Sequence, residues 1–388
     1  MLEQVFDPAA RRVETAAEQL VAVFQRHQLL TQAHVLLTQG PVGFQELREF
    51  GLQGFEFLQH GGTIIGAFLP RQPKSGLPAI VTAPHSIPPQ RTPYRGRFAP
   101  TPSGPLHFGS LVAALASYLD ARAAAGEWLV RIEDLDPPRV VAGAADDILR
   151  TLAAFGFEWQ GAVLRQGQRG AAYAGALAEL TRQGAVYGCD CSRRVLAEQA
   201  RAGVDGPVYP GTCRQRGLGT GHALRWRSPP LRIHFDDAEQ GRVGCNLAEE
   251  CGDFVLRRAD GVYSYQLAVV VDDAEQGISH VVRGADLLAS TPRQIALQAA
   301  LGLATPHYRH VAVVLGDDGA KLSKQTLAAP LDPRRPLPAL CRAAAFLGLA
   351  PPAGLDLRDF WAWATPAWRD RAPLPIRARR LPASLCNP

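Results

Sequence analysis

Residues 97–110 read Arg97-Phe-Ala-Pro-Thr-Pro-Ser-Gly-Pro-Leu-His107-Phe-Gly-Ser110. Prolines and glycines here predict a turn that joins a strand to a following helix. Gly109 allows close approach of a ligand, and the N-terminus of the predicted helix favours an anionic phosphate. His107 would lie beside that phosphate as a hydrogen-bond donor. Taken alone, this histidine is more typical of an ordinary surface turn.

Outward from this stretch, strands and helices alternate along the chain from Tyr94 onward. Helices are predicted at 109–125, 143–155 and 291–301, and a buried strand is predicted at 128–132. Alternation of this kind is typical of βαβ units and a parallel sheet. The predicted fold class is therefore α/β.

A second informative stretch reads Gly319-Ala-Lys321-Leu-Ser-Lys324-Gln325 and follows an apolar strand predicted at 311–315. The chain has 41 lysines and arginines, of which three are lysine, and two of those three lie here. A compact ammonium is not interchangeable with a planar guanidinium, so the two lysines suit the clamping of a triphosphate. In isolation, a solvated surface turn explains the same residues.

The bulk properties predict a soluble protein of two or three domains. The chain has 388 residues, of which 47% are hydrophobic, and a formal net charge of +5. No apolar run of about 18 residues is present, and charges near the N-terminus do not suit a signal peptide, so we expect a cytoplasmic protein with no membrane partner. The mild positive charge is compatible with a polyanionic partner but does not require one.

The predicted organisation has three parts. Residues 1–90 form an unassigned N-terminal extension with a proline-rich linker, including a possible helix at 13–28. Residues 94–330 form the domain that carries both motifs, with an inserted subdomain at about 185–245. Residues 331–388 form a short helical, tryptophan-containing basic C-terminal region.

The two motifs match, in order and separation, the nucleotide-binding signatures of class I aminoacyl-tRNA synthetases, and their wording resembles the glutamyl-tRNA synthetase family. The resemblance covers about residues 94–330, with further matches at 131–136, 263–268, 270–273 and 282–286. It implies a Rossmann-like parallel sheet and activation of an amino acid by Mg-ATP as substrate.

The resemblance also implies the residues of the site. They are a glutamate pocket of Arg97, Phe98, Ala99, Pro100, Thr101, Glu133, Tyr265 and Arg283, an ATP site of His107, Gly109, Ser110 and Lys324, and catalytic residues His107, Lys321 and Lys324. Guanidinium groups bind carboxylates through paired hydrogen bonds, and Glu133 would receive the α-ammonium, so the chemistry suits glutamate. Thr101 and Gln325 replace serines of the family pattern.

The chain is too short after Lys324 for the anticodon-binding regions of the full-length family members, because 64 residues remain. It resembles instead the free-standing paralogues of the family, which correspond to the catalytic half alone. That resemblance implies a monomer that transfers glutamate to queuosine at the first anticodon position of tRNA(Asp). A truncated synthetase that charges tRNA(Glu), a non-catalytic RNA-binding relic and an enzyme for a non-tRNA acceptor remain as alternatives.

The insertion contains a candidate zinc site, where the paralogues carry one: Cys189, Cys191, Tyr209 and Cys213. Thiolates bind zinc well, but tetrahedral coordination needs four ligands and the three cysteines supply three. Tyr209 is an unusual ligand that rests on the resemblance, and Cys245 or Cys251 would compete with it. Three reduced cysteines in a compact loop are the alternative.

Overall fold

The computed structural model describes residues 56–60, 63–67, 80–82 and 93–380, apart from 204–205, 220, 317–318, 320 and 323–328. The predicted helix at 13–28 and the predicted site residue Lys324 lie outside the described residues. The chain divides into two compact units, 1–76 and 77–388. In the first unit, β1 (Glu56–His60) and β2 (Thr63–Ala67) form an antiparallel hairpin.

The second unit is built on parallel strands, as predicted. β4 (Arg95–Phe98) pairs in parallel with β5 (Glu127–Ile132), which pairs in parallel with β6 (Leu164–Arg165). β14 (His280–Gly284) lies beside β4 and pairs in parallel with β15 (His307–Val311). The carboxyl ends of β4, β5 and β14 therefore lie close together.

Two strands from the second half of the predicted insertion extend the β14–β15 sheet. β11 (Arg232–Asp237) pairs in parallel with β15, and β12 (Gly241–Asn246) continues antiparallel to β11. β3 (Ile80–Thr82) also pairs with β11, in parallel. The end of β11 is thereby brought beside the strands that carry the site.

The rest of the predicted insertion contains a helix and contributes two strands to a small antiparallel sheet, whose third strand follows the predicted insertion. The sheet contains β7 (Val186–Cys189), β10 (Ala223–Trp226) and β13 (Phe254–Arg257). Between β7 and β10 lie α4 (Arg193–Gln199), β8 (Arg201–Gly203) and β9 (Gly206–Val208).

The remaining helices flank the strands. They are α1 (Phe108–Ala123), α2 (Ala144–Ala154), α3 (Gly170–Arg182), α5 (Tyr265–Glu275), α6 (Thr291–Ala300), α7 (Pro336–Phe346) and α8 (Leu357–Asp370). The predicted helices at 109–125, 143–155 and 291–301 are confirmed within two residues. Among the described residues, no helix is long and apolar enough to cross a membrane.

Helix α1 is central to the core because it is apolar on most of its surface. It packs against β4, β5 and β14 on one side and against α7 and α8 on the other. The ring of Tyr118 in α1 meets both Trp128 of β5 and Trp361 of α8, at centroid distances of 5.0 Å. The C-terminal region thus covers the catalytic core, and the packing fixes the position of His107 at the start of α1.

Three backbone contacts hold the stretch around the second motif. β16 (Val313–Leu315) pairs in parallel with β17 (Ala378–Arg380), near the C-terminus. Leu322 donates a backbone hydrogen bond to the carbonyl of Val314 at 2.8 Å. On the far side of the motif, Leu331 donates to the carbonyl of Leu106 at 2.9 Å. The segment that contains the second motif, residues 316–330, is called the lysine loop below. Its two ends are therefore held to β16 and to the first motif.

Candidate active site

An open cleft of about 880 Å³ lies at the carboxyl ends of β4, β5 and β14. Ligands of parallel α/β sheets bind at this edge. The cleft is lined by these predicted residues: Arg97, Phe98, Ala99, Pro100, Thr101, His107, Gly109, Ser110, Glu133, Tyr265, Arg283 and Lys321. Motifs that are more than 200 residues apart in sequence are thus brought to one site.

Two buried arginines share one buried carboxylate beneath the cleft. Arg97 donates to both oxygens of Asp273, at 3.1 and 3.3 Å, and Arg131 forms an ion pair with Oδ1 of Asp273 at 2.8 Å. Burial would raise the pKa of Asp273, but the two guanidinium groups hold that pKa below its usual range. Nη1 of Arg97 takes no part in the pair with Asp273, and Arg97 also lines the cleft.

Glu133 follows β5, and its carboxyl group has an unusual pKa. Its carboxylate is 3.7 Å from Nη2 of Arg131, and its backbone N–H donates to the carbonyl of Pro100 at 3.0 Å. Burial raises the pKa of Glu133 to about 7, against the opposing effect of Arg131 and Arg97. A cation that binds beside Glu133 therefore stabilises the ionised form of its carboxyl group.

Arg283 and Tyr265 form the opposite wall of the cleft. Nη1 of Arg283 donates to the Tyr265 hydroxyl at 3.1 Å. Burial raises the pKa of Tyr265, so the phenol keeps its proton and remains a donor toward a ligand. The pair supplies a cation and a neutral donor side by side, which suits a carboxylate.

His107 is the N-cap of α1. Its Nδ1 accepts hydrogen bonds from the backbone N–H groups of Gly109 at 3.1 Å and Ser110 at 3.4 Å. Since Nδ1 accepts, a neutral imidazole carries its proton on Nε2, which is then a donor. The positive end of the helix dipole thus polarises the imidazole. The Nε2–H donor agrees with the predicted role of His107 at a phosphate.

Lys321 lies on the rim of the cleft, where its ammonium contacts the Asp286 carboxylate. A side chain at Gly109 would lie 3.3 Å from the carbonyl of Leu322 and 3.1 Å from the His107 ring. Glycine at 109 therefore lets the lysine loop approach the start of α1 closely. The first motif and the lysine loop meet at this point.

The predicted zinc ligands of the insertion form one cluster. The sulfur atoms of Cys189, Cys191 and Cys213 lie within 4.8 Å of one another. The Tyr209 hydroxyl is 3.4 Å from Sγ of Cys189 and 3.5 Å from Sγ of Cys191, so one phenol adjoins the thiols. Structural zinc takes four ligands, and thiolates are among its usual ones.

The competing cysteines lie elsewhere. Sγ of Cys245 is 3.4 Å from Sγ of Cys251, and both pack in the apolar core formed by α5, α6 and β11 rather than with Tyr209. Among the described residues, Cys189, Cys191 and Cys213 are the group of three or more cysteine, histidine or carboxylate side chains that lies close enough together to hold a metal ion.

The match to a family model covers the residues that build this site. Residues 94–332 match the model described as "tRNA synthetases class I (E and Q), catalytic domain". The chain belongs to this family. The match begins immediately before β4 and ends after the lysine loop, so it spans both nucleotide-binding motifs and the whole cleft.

Individual relatives agree with the family. The chain is 58% identical over 288 residues to the glutamyl-Q tRNA(Asp) synthetase of Dechloromonas aromatica, covering 71% of this chain and 94% of the relative. It is 54% identical to the protein of the same name from Chromobacterium violaceum, covering 71% and 93%. A glutamate-tRNA synthetase structure from Elizabethkingia anophelis matches with a TM-score of 0.61 over 76% of this chain and 69% of that chain; its 24% identity supports the fold alone.

Sequence reasoning missed the roles of several residues that hold the site together. Asp273 was visible as part of a family motif, but its contact with Arg97 spans 176 positions. Asp286 lies in the family motif at 282–286, but its contact with Lys321 spans 35 positions. His310 gave no signal, because a histidine in the polar strand His307–Val311 does not reveal its partner.

The shared carboxylate predicts a large stability effect. Asp273→Asn keeps the volume but leaves buried Arg97 without its ion-pair partner and Arg131 with the more distant Glu133 carboxylate, so we expect the free energy of unfolding to fall by about 3–5 kcal/mol in urea denaturation. Glu275→Gln is the matched control: it lies on the same helix, exposed, and its pair with Arg169 should contribute less than about 1 kcal/mol. Equal effects of the two substitutions would show that Asp273 does not carry the buried charge balance.

Proposed function

We propose that this chain activates glutamate with Mg-ATP as glutamyl adenylate and transfers the glutamyl group to queuosine at the first anticodon position of tRNA(Asp). The observation that carries the proposal is the cleft, in which two arginines, a raised-pKa glutamate and the two nucleotide-binding motifs face one space. The names of the most similar relatives, glutamyl-Q tRNA(Asp) synthetases, support the acceptor.

The pocket chemistry favours a dicarboxylic amino acid. Glutamate has two carboxylates and one α-ammonium, and the cleft offers Arg97, Arg283 and the Tyr265 hydroxyl for the former. Glu133 accepts the α-ammonium and becomes fully ionised when it does so. Binding thus places the α-carboxylate next to the nucleotide-binding motifs, and positioning of this kind lowers the barrier.

The adenylation step transfers charge onto the departing pyrophosphate. An α-carboxylate oxygen of glutamate attacks the α-phosphorus of ATP, and the bond from that phosphorus to pyrophosphate breaks. His107 and Lys321 both line the cleft, and an Nε2–H donor and an ammonium there would stabilise this charge. In the second step, a queuosine hydroxyl attacks the glutamyl carbonyl carbon and AMP leaves.

Transfer assays test the acceptor directly. Purified chain, labelled glutamate and ATP are incubated with tRNA(Asp) carrying queuosine, tRNA(Asp) without it, or tRNA(Glu). We expect label in the first tRNA alone, in the anticodon fragment after nuclease digestion. Labelling of tRNA(Glu) alone would instead identify a truncated glutamyl-tRNA synthetase, and absence of glutamate-dependent exchange of pyrophosphate into ATP would identify a non-catalytic relic.

The raised pKa of Glu133 predicts a pH-dependent KM for glutamate. Only the ionised carboxylate accepts the α-ammonium, so the KM in pyrophosphate exchange should rise about tenfold as the pH falls from about 8 to about 6, through the pKa of about 7. The KM for ATP, measured in parallel, is the reference. In Glu133→Gln the KM for glutamate should be high at both pH values, and a flat wild-type profile would refute this role of Glu133.

We further propose that the cluster of Cys189, Cys191, Tyr209 and Cys213 holds one structural zinc ion. The Tyr209 oxygen accepts a hydrogen bond from the backbone N–H of Cys213 at 2.8 Å, and the guanidinium of Arg225 lies 4.0 Å from the centre of the Tyr209 ring. Both contacts orient the phenol, and the backbone donor opposes the effect of burial, which raises the pKa of Tyr209. Such supporting contacts are typical of metal sites.

Zinc content tests this site without reference to activity. We expect about one zinc per chain in the wild type and a loss of most of it in Cys213→Ala, because three ligands bind zinc far more weakly than four. Cys341→Ala is the control, since Cys341 lies in α7, and it should keep its zinc. Retention of a full equivalent by Cys213→Ala would exclude the proposed ligand set.

A further inference from the structure

The guanidinium of Arg283 is held from beneath by a buried polar cluster. Its Nε donates to Nε2 of His310 at 3.0 Å, and its Nη2 donates to Thr291 and Gln294 at 2.8 Å each. Its Nη1 faces the cleft and the Tyr265 hydroxyl. The side of Arg283 that faces away from the cleft is thus occupied by protein acceptors.

His310 is the register partner of Arg283 in the β14–β15 ladder, and it is fully buried. Its Nδ1 lies 2.5 Å from Oδ2 of Asp237, while its Nε2 faces the Nε–H of Arg283. These two contacts require one tautomer: Nδ1 carries the proton and donates to Asp237, and Nε2 accepts from Arg283. Burial lowers the pKa of His310 to about 4, which keeps the imidazole neutral and able to accept.

Asp237 is itself held rigidly at the end of β11. Its Oδ1 accepts from three backbone N–H groups, those of Glu239 at 3.0 Å, Gln240 at 2.9 Å and His310 at 3.1 Å. Its Oδ2 remains for the imidazole. The carboxylate therefore has one orientation, and that orientation selects the tautomer of His310.

We propose that Asp237 and His310 are positioning residues that fix the Arg283 guanidinium in the orientation that binds a carboxylate of glutamate. The inference rests on the proposed function and adds two residues that do not touch the substrate. The backbone at the end of β11 orients Asp237, Asp237 orients His310, and His310 orients Arg283. Three backbone hydrogen bonds form the first link, and one hydrogen bond with a defined donor forms each of the other two.

Asp237→Asn tests the chain of contacts with little change in volume. If the amide N–H faces Nδ1 of His310, the imidazole proton moves to Nε2 and opposes the Nε–H of Arg283. If the amide is turned around, its N–H opposes the three backbone donors at Oδ1. Both orientations disturb Arg283, so the KM for glutamate should rise about tenfold to a hundredfold, while the KM for ATP stays within about twofold.

Two substitutions of His310 separate its two contacts. His310→Gln can place an acceptor near the position of Nε2, whereas His310→Asn keeps a donor near the position of Nδ1 and does not reach Arg283. We expect the KM for glutamate to rise more in His310→Asn than in His310→Gln. A KM does not depend on the concentration of active enzyme, so partial misfolding of a variant does not hide the result.

His280→Asn is the control. His280 lies at the opposite end of β14, where it stacks on Tyr94 at a centroid distance of 4.0 Å. The KM of this variant for glutamate should equal the wild-type value. Parallel rises of both KM values in the Asp237 and His310 variants, or an unchanged KM for glutamate in Asp237→Asn and His310→Asn, would overturn the inference while leaving the proposed function intact. A wild-type chain without glutamate-dependent exchange would overturn both.

Discussion

Asp273 carries a single negative charge beneath the cleft, and Arg97 and Arg131, on two neighbouring strands, both pair with it. Burying two guanidinium groups without a partner would be prohibitively unfavourable, and this carboxylate makes it possible. Because Asp273 lies in α5, the same contact joins that helix to β4 and β5. The strands and the helix therefore meet at a defined distance beneath the cleft.

The two walls of the cleft follow the same physical rule. Arg97 is held by a charged partner, whereas Arg283 is held by neutral acceptors, among them His310. In both cases the donors that face the protein are satisfied, so the remaining N–H groups are directed into the cleft. An arginine prepared in this way loses little side-chain entropy when a carboxylate binds, which favours both affinity and selectivity.

Helix α1 links the nucleotide side of the cleft to the rest of the molecule. Its N-terminus presents His107, and its apolar surface packs against β5 and against α8, where Trp361 contacts Tyr118. The region after the lysine loop thus contributes to the core of the catalytic unit. Strand β17 of this region also pairs with β16, the strand that precedes the lysine loop.

The sequence by itself determined the order of elements, the turn at 97–110 and the chemical groups of the site, because these depend on neighbouring residues and on motif wording. Tertiary structure decided which groups meet. Asp273 is 176 positions from Arg97, and Asp237 is 73 positions from His310. The tertiary structure also decided that β11 and β12 extend the β14–β15 sheet. Strand order and register bring such residues together, and neither is encoded in local spacing.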